Sequence, residues 1–90
     1  MSVQVEVPTV LRTFTAGERS IVGDGQDLQG LIADLETRYP GLSERILEDG
    51  KLRKFVNVYL NDEDVRFLDG LGTPLADADV VTILPAVAGG

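Results

Sequence analysis

The amino-acid sequence predicts an α+β domain, a mixed sheet of about five strands with one main helix packed across it. Three observations carry that expectation. Val3, Val5 and Val7 alternate with Gln4 and Glu6, the period-two pattern of a strand with one buried face. Leu28, Leu31, Ile32, Leu35 and Tyr39 recur at the spacing of one helical face. Val80-Val81-Thr82-Ile83-Leu84 is an almost unbroken run of β-formers, as expected of a central strand covered on both faces or paired in parallel.

The elements follow in order. Pro8 interrupts the opening strand, and Thr15-Ala16-Gly17-Glu18 reads as a turn into a second strand at Arg19-Ser20-Ile21-Val22, which Gly23-Asp24-Gly25 breaks. Asp27 accepts hydrogen bonds from the first-turn amides of the helix, which ends near Tyr39 because Pro40 disfavours a helical residue before it and Gly41 permits a reversal. Gly30 costs this helix up to about 1 kcal/mol relative to alanine and is expected to allow close packing on a sheet. Ser43 to Leu47 forms a short helical turn, closed by Asp49-Gly50. Phe55-Val56-Asn57-Val58-Tyr59-Leu60 is a strand, Asn61-Asp62 its turn and Val65-Arg66-Phe67 a shorter strand. Asp69-Gly70 and Gly72-Thr73-Pro74 mark a loop, and Asp77-Ala78-Asp79 leads into the last strand.

An opening hairpin followed by a helical crossover places the final strand beside the first in parallel, which makes both central. This is a β-grasp arrangement. Pro85 ends the ladder because it has no amide to donate. The division expected is a domain over residues 1–84 and an extended tail over 85–90, which at about 3.3 Å per residue reaches roughly 20 Å from the sheet.

Composition narrows the function. Ninety residues make one domain, and a chain of this size buries only roughly 60–65% of its unfolded surface, too little to enclose a deep pocket as well as a core. A presenting or binding role is favoured over self-contained catalysis. Fifteen acidic against eight basic residues give a net charge of −7, which repels nucleic acid and anionic membranes and calls for partners with a basic or apolar face. The basic cluster Lys51, Arg53 and Lys54 reads as a solvated face beside a strand. With no cysteine and no histidine, the chain lacks thiolate nucleophiles, the usual zinc ligands and the commonest general base. Asp62-Glu63-Asp64 lacks the spacing of a cation-binding loop and reads as a solvated turn. Neither a bound cofactor nor a metal is expected. Met1-Ser2-Val3-Gln4 does not open a secretory leader and no apolar run approaches the ~20 residues that span a bilayer, so a cytoplasmic location is expected.

The terminus carries the chemistry. Glycine has no Cβ, so Gly89-Gly90 can be drawn through a channel too narrow for other residues, leaving the terminal carboxylate unscreened. Terminal glycines are also what a frayed end tolerates. The context decides between these readings. Asp77-Ala78-Asp79-Val80-Val81-Thr82-Ile83-Leu84-Pro85-Ala86-Val87-Ala88-Gly89-Gly90 resembles the end of the ubiquitin-like sulfur carriers of the MoaD/ThiS family. The likeness to the CysO type, which serves cysteine biosynthesis, extends over nearly the whole chain. It takes in a Val3-to-Leu11 strand with Pro8, the Leu28-to-Tyr39 helix and the segment Phe55 to Phe67. One departure is Ala78, where many members have glycine; it bears on the turn and not on the function.

The resemblance implies a mechanism. An α-carboxyl group has a pKa of roughly 3.3–3.7, so Gly90 is ionised at neutral pH and must be activated before it reacts. An E1-like enzyme would use Mg-ATP to form a Gly90 acyl-adenylate, and a sulfur donor would displace AMP to leave a thiocarboxylate. Gly90 then bears the reacting group, Gly89 grants access, and Val87 and Ala88 are recognised in the partner's channel. In the CysO-like case the thiocarboxylate attacks an aminoacrylate on a PLP-dependent cysteine synthase, and a zinc metalloprotease releases the cysteine. The same tail suits a protein modifier forming isopeptide bonds, and a donor of sulfur to a thiosugar, a thiazole or molybdopterin. In each case the chain is a cosubstrate of other enzymes. Tyr59, Phe67 and Leu84 are candidates for a docking surface on the sheet, set against the ordinary expectation that strand aromatics belong to the core.

Overall fold

The computed structural model describes residues 2–85, so the predicted tail beyond Pro85 lies outside the described residues. Strand β1 (Ser2–Glu6) pairs antiparallel with β2 (Ser20–Asp24), and helix α1 (Leu28–Arg38) follows. After helix α2 (Leu42–Ile46), the two-residue strands β3 (Leu47–Glu48) and β4 (Lys51–Leu52) form a separate hairpin. Strands β5 (Val56–Leu60), β6 (Glu63–Asp64) and β7 (Val80–Pro85) complete a five-stranded sheet in the order β2-β1-β7-β5-β6. β7 runs parallel to β1 and antiparallel to β5, which makes β1 and β7 central as the topology rules require.

α1 forms where expected. Asp27 Oδ1 accepts from the Gly30 amide at 2.7 Å, and the chain leaves the helix at Tyr39, before Pro40. Its buried face, Leu28, Leu31, Ile32 and Leu35, closes on Val3, Val5, Ile21, Val58, Val81 and Ile83 from the sheet. The close approach comes at other glycines than the one expected. A Cβ on Gly23 would stand 2.8 Å from both Leu31 Cδ1 and Leu35 Cδ2, and one on Gly25 would stand 2.7 Å from Leu31 Cα. A Cβ on Gly30 would instead face the helix's own cap, 3.1 Å from Asp27 Oδ1. Gly23 therefore lies inside β2 and does not break it.

Three further expectations are corrected. The opening strand stops at Glu6 instead of reaching Leu11, because Thr9–Thr15 wind into a 3-10 helix that buries Leu11 and Thr15. Pro8 offers no amide for the ladder, and Arg12 Nε donates to the Val7 carbonyl at 3.1 Å to fix the reversal. Asp49-Gly50, with φ of 53° and 77°, is the two-residue turn of the β3–β4 hairpin and not merely a helix stop. Val65–Phe67 is a 3-10 turn, not a strand, since Asp64 Oδ1 accepts from the Arg66 amide at 2.8 Å and turns the backbone there. Of the two arrangements expected for β7, parallel pairing is the one found: β7 pairs with β1, Val81 and Ile83 enter the core, and Leu84 on the other face remains 46% exposed.

Candidate functional site

The site is assembled where β7 runs out. Val81 and Ile83 anchor the strand under α1, so by the period-two rule Thr82 and Leu84 stand on the open face. The register sets Tyr59 beside Thr82 and Asn57 beside Leu84 on β5, with Glu6 beside Thr82 on β1. Val56 pairs with Pro85, so the start of β5 flanks the point from which residues 86–90 continue.

Arg66 holds that corner together. Its guanidinium donates to Asn57 Oδ1, the Arg53 carbonyl and the Val56 carbonyl, each at 2.7 Å. These bonds use the fork geometry that lysine lacks. Across β7 a groove of about 220 Å³ lies among Glu6, Pro8, Arg12, Arg19 and Leu84, and a second of about 210 Å³ lies between Tyr59, Asp62, Thr82 and Leu84. Both are shallow and shared by the last strand. Hydrogen bonds from Ser20 and Gln4, with the Arg19 charge nearby, hold the Glu6 carboxyl below its ordinary pKa, so the rim stays charged at neutral pH.

Of the residues predicted for the site, Val87, Ala88, Gly89 and Gly90 lie outside the described residues. The three docking candidates are not core. Tyr59 is half-buried on the open face beside Leu84, while Phe67 is 84% exposed on the neighbouring 3-10 turn. The acidic run is not all turn: Asp62 and Glu63 are exposed, but Glu63–Asp64 form β6 against β5, and Asp64 also caps the 3-10 turn that follows. Sequence reasoning missed Arg12, Arg19, Arg66 and Asn57. No local motif marks them, for they meet only through strand register and the reversal after Pro8. Among the described residues no group of three or more carboxylates is arranged to hold a metal ion, and no helix is long and apolar enough to cross a membrane.

Comparison with known proteins places this geometry. The ThiS family profile matches residues 5–90. The sulfur carrier protein CysO of Mycobacterium tuberculosis (strain H37Rv) is 55% identical over 93 residues, covering all of both chains. The small archaeal modifier protein 3 of Haloferax volcanii is 42% identical over 77 residues, covering 82% of this chain and 84% of that one. Among solved structures, a chain of the Amycolatopsis orientalis BexX/CysO complex superposes with a TM-score of 0.94 at 50% identity, covering 98% of this chain and 99% of the other.

Proposed function

The chain belongs to the ThiS family, and from that premise we propose that it is a sulfur carrier whose Gly90 carboxylate is adenylated and then converted to a thiocarboxylate. The observation that carries the reading is its identity, over the full length, with a sulfur carrier protein. The β-grasp domain presents the tail: the last strand is pinned between two others, and its exit is bordered by an open face of mixed character around the exposed Leu84 that a partner can grip. Residues 86–90, which follow β7, serve as the segment that enters the partner's active site.

Activation belongs to an E1-like enzyme. Its Mg-ATP supplies AMP to the Gly90 carboxylate with release of pyrophosphate, and a sulfur donor then displaces AMP. The chain's own contribution is steric and electronic. Gly89 and Gly90 pass a narrow channel, and Val87 and Ala88 fill its wider approach. With no cysteine of its own, the carrier cannot capture its activated terminus by an internal thiol.

Cysteine is the proposed product. The Gly90 thiocarboxylate sulfur adds to the Cβ of an aminoacrylate held by a PLP-dependent cysteine synthase, forming a thioester. An S-to-N acyl shift transfers the glycyl group to the cysteine amine, and hydrolysis by a zinc metalloprotease frees cysteine and restores the carboxylate. The test is to incubate thiocarboxylated protein with that synthase and its activated serine substrate. A product one cysteine residue heavier than the unmodified carboxylate form, with the thiocarboxylate consumed, supports the pathway; unconsumed thiocarboxylate beside an active synthase rejects cysteine as the product. Similarity to an archaeal modifier protein favours a second reading, isopeptide transfer of Gly90 to lysines. Lysine-linked adducts in cell extract, formed without a thiocarboxylate, would select it.

A further inference from the structure

The charge of this molecule is segregated along the sheet axis. β7 points its C-terminal end the same way as β1, and β2 and β5 start at that end. The residues placed there are cationic. Arg19 precedes β2 and its carbonyl accepts from the Val7 amide; Arg12 bonds back to Val7; Arg66 clamps the start of β5; and Lys54 stands two residues before Val56. With Arg53, five of the eight basic residues border the exit of the tail. The carboxylates at this end are Glu6, beside Arg19, then Glu18, Glu48, which is 3.6 Å from Arg53, and Asp49, which lines a groove with Lys51, Lys54 and Arg66.

The opposite end of the sheet is acidic. Asp24, paired with Arg38 at 2.9 Å, closes β2, Asp77 accepts from the Ser2 amide, Asp79 accepts from Asn61 and the Ala76 amide, and Glu63 pairs with Leu60 at the end of β5, while Asp62 between them also lines the groove beside Leu84. The net charge of −7 therefore describes the far pole and misdescribes the end that enters a partner.

We infer that the tail-exit cations dock on a protein partner whose channel mouth is rimmed with carboxylates, the reverse of the basic face that the net charge alone suggests. The occupant is the activating enzyme, so the inference rests on the sulfur-carrier reading. The acidic pole repels such a rim while the cationic collar is drawn to it, so the molecule's dipole turns the tail toward the channel during encounter. A nucleic-acid backbone does not fit, because a long polyanion that reached the collar would also pass the acidic pole. Arg19 and Lys54 carry the steering, being exposed and free of the backbone bonds that give Arg12 and Arg66 a folding role.

The experiment is steady-state thiocarboxylate formation by the E1-like enzyme of the same organism, with Mg-ATP and sulfide, as ionic strength is raised. Four full-length chains are compared: the unaltered protein, Arg19→Glu with Lys54→Glu, the neutral pair Arg19→Gln with Lys54→Gln, and Glu63→Lys at the acidic pole. Thermal melts confirm that each is folded. The expected result at low salt is a KM for the carrier raised tenfold or more by charge reversal and less by neutralisation, with kcat held within about twofold. High salt should close the gap, and Glu63→Lys should leave KM unchanged or lower. An unchanged KM for the reversed pair, with normal thiocarboxylate formation by the unaltered protein, overturns the inference and spares the carrier reading. No thiocarboxylate on the unaltered protein overturns both.

Discussion

Ala78 sits between Asp77 and Asp79 with φ of 71°, a conformation that costs a Cβ-bearing residue about 1 kcal/mol and glycine almost nothing. The side chain is exposed and packs on nothing that would offset the cost. Ala78→Gly should stabilise the protein by about 0.5–1 kcal/mol, read as a melting temperature several degrees higher; no rise would show the turn to be unstrained. Gly25 answers to space instead of φ. A Cβ there would collide with the Leu31 backbone, which cannot yield as a side-chain tip can, so Gly25→Ala should cost about 2 kcal/mol or more in urea unfolding. Gly23→Ala, facing side-chain ends of Leu31, Leu35 and Asp34 and no backbone, should cost less. Equal losses at the two sites would contradict this packing account.

Between elements, one carboxylate ties α1 to α2. Glu36 accepts from the Gly41 amide, the Ser43 amide at 3.0 Å and the Ser43 hydroxyl at 2.8 Å. The Gly41 amide, followed by the two Ser43 groups, holds its pKa below the ordinary value of 4.5. Asp34 is lowered by the Asp24 amide and Arg38, and Asp79 by the Ala76 amide and Asn61. Each carboxylate is therefore more acidic folded than unfolded. Its contribution is present above the unfolded pKa and fades as the pH falls through the folded one. The melting temperature should hold near neutrality and drop below about pH 4.5, and Glu36→Gln should lower it at pH 7 while flattening the acid limb. An unchanged pH profile in that variant would remove Glu36 from the junction.

The same scale shows how much was legible in the sequence. α1 was written in its own periodicity and in Asp27 and Pro40, signals that act within a turn or two. β1 followed from alternation and β5 and β7 from their β-branched and aromatic residues, whereas the two-residue strands β3, β4 and β6 are too short to carry either signal. The 3-10 segments were not legible, because Leu11 and Val65 are apolar residues that suit a strand as well as a turn. Only Pro8 and the Asp64 cap tip them. The apolar run of β7 fitted double coverage or parallel pairing, and it pairs in parallel; Leu84 is exposed and Val80 half-buried on the face away from α1, which becomes intelligible once that face is read as a docking surface. The tail-exit cations were invisible for a different reason: register across four strands brings them together, and no single segment holds that information.

At the scale of the molecule, a small core leaves one sheet face uncovered and places the chain's end at its border. Leu84 is 46% exposed there, at the junction of both grooves. Leu84→Asp should leave the melting temperature within a few degrees, because little apolar area is lost, yet raise the KM of the activating enzyme for this carrier. An unaltered KM would move the docking surface elsewhere, toward Phe67 or Phe55, which are 84% and 57% exposed.

The central claim is that the folded domain exists to present one carboxylate. Its most direct test is the intact mass of the protein after incubation with its E1-like enzyme, Mg-ATP and a sulfide source, alongside a variant lacking Gly90. The account predicts replacement of one oxygen by sulfur in the full chain and none in the shortened one. No mass change with an enzyme shown to be active, or a sulfur gain that survives the loss of Gly90, would contradict it.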